Sequence, residues 1–87
     1  MNPKQLYMSR KHDIAALLGW LELELDEHAA YAEKEGIDYG HCGDLEHLRD
    51  LLIKALAFLS QMGEDDIKDA LADAAAAREQ TERKTTD

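Results

Sequence analysis

Residues 44–59, DLEHLRDLLIKALAFL, decide the fold. At about a hundred degrees per residue, Leu45, Leu48, Leu51, Leu52, Ala55, Leu56, Phe58 and Leu59 fall on one broad face, with Met62 one turn on. Glu46, Arg49, Asp50, Lys54 and Gln61 fall on the other. An apolar arc this wide exceeds what a single neighbouring helix covers, so the pattern predicts a core helix that touches at least two others. Asp44 supplies a side-chain cap at its start, Gly63 a stop at its end, and Asp50–Lys54 an i,i+4 ion pair on its polar side.

Upstream of this helix, residues 37–43 (IDYGHCG) read as a short, turn-rich connection of the length used between antiparallel helices. Before it lies a long periodic stretch. Asn2 can cap, Pro3 suits the first helical position, and Gln5 can reach back to close a capping box. Helical spacing then continues through Tyr7, Ile14, Leu18, Leu21, Leu25, His28 and Ala32, with Leu17 beside the stripe. It ends at Gly36, where Ile37 is placed to fold back on Tyr31 or Ala32.

A helix over 3–35 is about 50 Å long, whereas a compact monomer of this size is only about 30 Å across. Either Ser9 starts a second helix after a break near Met8, or the first turns project and pack against another subunit. No breaker lies between Tyr7 and Ile14, which favours the second arrangement. Ala16, Trp20 and Leu23 form a smaller apolar strip outside the main stripe, with Gly19 beside it. Glycine in a helix interior costs about 1 kcal/mol relative to alanine, a cost that close helix approach offsets. Tyr7, Ala16, Gly19, Trp20 and Leu23 are therefore the candidate interface of a homodimer.

Downstream of Gly63 a third helix begins with Glu64, Asp65 and Asp66 at the positive end of its dipole and has Arg78 near the negative end. Its inward face of Ile67, Ala70, Leu71, Ala74 and Ala77 is thin. After Gln80 no apolar residue remains. The expectation is thus an all-α chain with helices over about 3–35, 44–62 and 65–80. The first two form an antiparallel hairpin and the shorter third closes one side, giving a single domain over 1–80, a disordered tail over 81–87, and a dimeric helical bundle.

The 87 residues carry 19 acidic against 10 basic side chains, a formal net charge of −9. That charge repels polyanions, so nucleic acid and anionic membranes are not expected partners, while a basic protein is an acceptable one. No stretch is long and apolar enough for a membrane span, the first residues have no secretory apolar region, and the lone Cys42 fits a reducing compartment. The cytoplasm is the expected location.

Four patterns bear on chemistry. Glu24 and His28 are spaced i,i+4 and Asp44 and His47 i,i+3, which points ligand-type side chains to common places on helices and makes these four the candidate metal ligands of an alternative, metal-binding or metal-sensing reading. The departures are an Asp in place of the Glu that di-metal bundles use, and its position at a helix start where its oxygen is wanted for capping. Around His41, Cys42 and His47 a single cysteine lacks the paired spacing of structural zinc. Gly40-His41-Cys42-Gly43 has no lysine where a phosphate loop needs one. Cys42 as a nucleophile is opposed by Asp44 and Glu46, which disfavour the thiolate. No cofactor and no enzymatic activity are expected. His28 on the main stripe suits a hydrogen-bonded core or interface position, and at a subunit contact its protonation would weaken assembly.

Overall fold

The computed structural model describes the backbone of residues 2–85 and the side chains of residues 2–80. Among them are three α-helices and no strand: α1 (Pro3–Glu35), α2 (Tyr39–Ser60) and α3 (Glu64–Thr85). The chain is all-α.

α1 starts as its sequence dictates. The Gln5 backbone N–H donates to Asn2 Oδ1 at 2.8 Å, and the Asn2 N–H donates to Gln5 Oε1 at 3.2 Å. Two free N–H groups of the first turn are thus satisfied reciprocally, with Pro3 directly behind the cap. The helix runs unbroken past Ser9 for 33 residues. It stops at Gly36, whose φ of 92° is open to glycine and rare for other residues. Gly36 has ψ 116°, outside the left-handed helical well, so the chain leaves in an extended direction and Ile37 stays exposed instead of folding back.

α2 begins five residues earlier than the expected start at Asp44. Asp38 is the reason. Its Oδ1 accepts the His41 backbone N–H at 3.0 Å, and the Asp38 N–H donates to His41 Nδ1 at 3.1 Å. This is a capping box in which imidazole takes the place of a glutamate or glutamine side chain. A Cβ on Gly40 would meet Asp38 Oδ1 at 3.2 Å, so this glycine gives the capping carboxylate room. The link from α1 shrinks to Gly36, Ile37 and Asp38, and Asp44 lies well inside α2. At the other end α2 stops at Ser60, two residues short of Met62. Ser60 Oγ donates to the Leu56 carbonyl at 2.7 Å and accepts the Met62 N–H at 3.2 Å. The left-handed position there is Gln61 (φ 66°), not Gly63, which instead starts α3 by accepting the Ile67 N–H at 3.2 Å.

α3 carries Glu64, Asp65 and Asp66 in its first turn, as expected, and continues to Thr85 instead of ending near Gln80. Alanine-rich helices have little reason to stop without a breaker. Of the tail expected over 81–87, residues 86 and 87 lie outside the described residues.

The chain divides into two compact units, Met1–His41 and Cys42–Asp87. The first holds α1 and the opening turn of α2. The second pairs the rest of α2 with α3 through the three-residue link of Gln61, Met62 and Gly63. Its centre is Ile53 against Ile67, only 3% and 5% exposed, in an apolar groove lined also by Arg49, Leu52, Leu56 and Leu71. The broad face read from sequence leaves Ile53 out and includes Phe58 and Leu59, both of which are exposed. Phe58 lies about 140° from Ile53 around the helix, and Ile53 stands on the side that Glu46, Arg49 and Asp50 share, so α3 meets α2 where that side borders the apolar arc. On α3 the inward line is Ile67 with half-buried Ala75, while Ala70 and Ala74 are exposed. The Asp50–Lys54 pair gives way to a contact of Asp50 with Arg49, at 3.9 Å.

Candidate interaction surface on the first helix

α1 sorts its apolar residues onto two sides. The long stripe holds Tyr7, Ile14, Leu18, Leu21, Leu25, His28 and Ala32. Its covering changes along the helix: Ala32 is buried, His28 and Leu21 are half-buried, and Leu18, Ile14 and Tyr7 are exposed. The second side holds Ala16, Gly19, Trp20 and Leu23 within an arc of about 100°. Trp20 and Leu23 are each 64% exposed. Tyr7 lies about 140° from Trp20 around the helix, so of the five interface candidates it belongs to the long stripe and not to the second side.

The indole is not left without a polar partner. Its Nε1–H donates to Glu24 Oε1 at 3.3 Å, one turn on. That contact orients the ring along its own helix and leaves its faces open. A Cβ built on Gly19 meets nothing within 4 Å, so nothing in the chain itself requires glycine there. The helix carries the propensity cost of glycine with no local compensation.

At the C-terminal end of α1 the His28 and Tyr31 rings stand edge-on to His41, with centroids 5.8 and 6.2 Å away. His41 Nδ1 lies 3.1 Å from the Asp38 N–H it accepts and 3.1 Å from Asp38 Oδ1. The two contacts need opposite states of that nitrogen: bare for the first, protonated for the second. The Asp38 carboxyl is held below the usual carboxylate range, chiefly by the His41 backbone N–H, against the opposing loss of some surrounding water and with help from the His41 charge and the Gly40 N–H.

The four candidate metal ligands lie on α1 and α2. Glu24 accepts from Trp20, His28 packs against His41, and Asp44 and His47 lie within α2. Among the described residues no three His, Cys, Asp or Glu side chains converge on a point that holds a metal ion. Cys42 is exposed, and the sequence Gly40-His41-Cys42-Gly43 is helical, not a loop open to phosphate. Sequence reading misses the role of Asp38 and His41 because a histidine three residues after a capping aspartate is not an expected partner. The i,i+3 spacing was the available signal.

Among the described residues no helix is long and apolar enough to cross a membrane. No family model, curated protein or solved structure matches the chain.

Proposed function

We propose that this chain is a non-enzymatic protein–protein interaction or scaffold module that works as a homo-oligomer, most simply a dimer, through the Ala16, Gly19, Trp20 and Leu23 side of α1. The observation that carries the reading is the exposure of Trp20 and Leu23 on a helix whose neighbouring glycine has no local purpose. A large aromatic with open faces beside a leucine and two small residues suits a docked helix, because its burial is worth more than that of any other side chain.

The acidic flank of Glu22, Glu24, Asp26 and Glu27 beside the apolar strip suits a basic protein as a further partner. Contact, not chemistry, is the proposed mode of action: Asp38 and His41 are engaged in ending a helix, and His28 packs edge-on against that imidazole.

Multi-angle light scattering across micromolar concentrations tests the reading. A mass near twice that of the chain is the expected result. A clean monomer at every concentration removes it.

A further inference from the structure

The long stripe of α1 is covered towards its C-terminal end and bare at the other. Ala32 is buried and His28 and Leu21 are half-buried, whereas Tyr7, Ile14, Leu17 and Leu18 are each more than half exposed. α1 has 33 residues against 22 in each of α2 and α3, so neither can cover it from end to end. Pro3 to Leu18 is an amphipathic arm about 24 Å long.

The α2–α3 unit has the matching deficiency. Ile53 and Ile67 close its centre, but beside them runs an open apolar groove of about 230 Å³. Leu52, Leu56 and Leu71 line it and each keep more than two-fifths of their surface. On α3 only Ala70 and Ala74 stand next to Ile67 on that side, and both are too small to close it. Two helices with an apolar groove along their seam leave a place for a third.

Charge says which helix fits. On α2, Leu56 and Leu52 lie about 60° and 100° around from Ile53. On α3, Ala70, Asp66 and Asp73 lie about 60°, 100° and 120° from Ile67 in the same rotational sense, which in an antiparallel pair is the same side of the seam. Asp66 and Asp73 therefore edge the groove, seven residues apart on one margin, and both are exposed. Lys4 and Lys11 have the same spacing on the arm, about 60° from Tyr7 and Ile14 respectively, and are exposed too. The other cations nearby are turned to their own neighbours: Arg10 lies 3.4 Å from Asp13, and Arg49, in the groove lining, 3.9 Å from Asp50. With the arm parallel to α3 and Lys4 level with Asp66, Lys11 is level with Asp73, and Tyr7 falls between the levels of Ile67 and Leu71.

We infer that the groove between α2 and α3 receives the N-terminal half of α1 from a second copy of the chain, with Tyr7 in the groove and Lys4 and Lys11 beside Asp66 and Asp73. This contact uses a side of α1 about 140° from Trp20 and does not rest on the Trp20 contact. Each copy offers one arm and one groove, so a reciprocal exchange closes at two copies.

Charge reversal in two full-length chains tests it by sedimentation: Lys4→Glu with Lys11→Glu in one, Asp66→Lys with Asp73→Lys in the other. Each chain alone sets like charges together, and its dimer dissociation constant should rise about tenfold or more. An equal mixture gives every arm an opposite groove and should restore the dimer. Ile14→Asp, at a site 57% exposed in the chain, decides the matter where the α3 reversal disturbs its helix start. Helix content should hold while the dissociation constant again rises about tenfold or more. A dimer that tolerates Ile14→Asp, or weakened variants that mixing does not restore, overturns the exchange and leaves the Trp20 contact standing. A parent chain that is monomeric at every concentration overturns both.

Discussion

The α2–α3 pair and the Trp20 side of α1 are built from the same kind of residue and meet different fates. Ile53 and Ile67 close on one another almost completely, whereas Trp20 and Leu23 keep most of their surface. α3 returns along α2 through a three-residue link and the two cover one another at Ile53 and Ile67, whereas Trp20 and Leu23 keep their apolar surface exposed. An apolar face left exposed is a natural place for a second molecule.

The largest effect expected from this contrast is in the covered region. Ile53→Ala should cost about 3 kcal/mol of stability, read as a lower denaturant midpoint, because it empties the centre of the α2–α3 contact. Trp20→Ser should do the reverse: unfolding of the isolated chain changes by no more than about 0.5 kcal/mol, while association weakens by about 2 kcal/mol in sedimentation experiments. A Trp20→Ser chain that unfolds as readily as Ile53→Ala would erase the distinction between the two faces. A smaller effect concerns the link. Gln61 holds a left-handed conformation, so Gln61→Gly should stabilise by about 0.5 kcal/mol, the relief of strain exceeding the added freedom of the unfolded glycine.

The smallest is a pH effect. The Asp38 carboxyl titrates lower when folded than when unfolded, so the stabilisation it brings is complete above the ordinary carboxylate range and is lost as pH falls through its lowered value. The protection of the Gly40 and His41 amides, relative to their intrinsic exchange at each pH, should therefore fall as pH drops through the lowered Asp38 value, and Asp38→Asn should flatten that dependence while keeping a capping oxygen.

What was legible in the sequence followed the locality of the signal. The start of α1 was readable because Asn2, Pro3 and Gln5 act within four residues, and its stop because Gly36 takes a backbone conformation that few other residues share. The start of α2 was displaced because Asp44 looks like a better cap than Asp38, and the side chain that completes the Asp38 cap is an imidazole. The inward side of α2 is hidden for another reason: the leucines mark a different arc, and Ile53 stands alone on the side shared with Glu46, Arg49 and Asp50, so nothing local says that it is the one to be covered. That choice is made by α3, through contacts no single-helix pattern contains. On α1, Trp20 and Leu23 were legible as a second strip, but Tyr7 was grouped with them although it points to another side. Asp44, His47, Glu24 and His28 have ligand-type spacing in pairs, and pairs on separate helices say nothing of whether the helices bring them together.

The doubled contact of His41 Nδ1 has one more consequence. A nitrogen that accepts from the Asp38 amide when bare, and donates to the Asp38 carboxylate when it carries a proton, has a partner in both states. Whichever of the two partners it takes, the ring stays beside Asp38 at the start of α2.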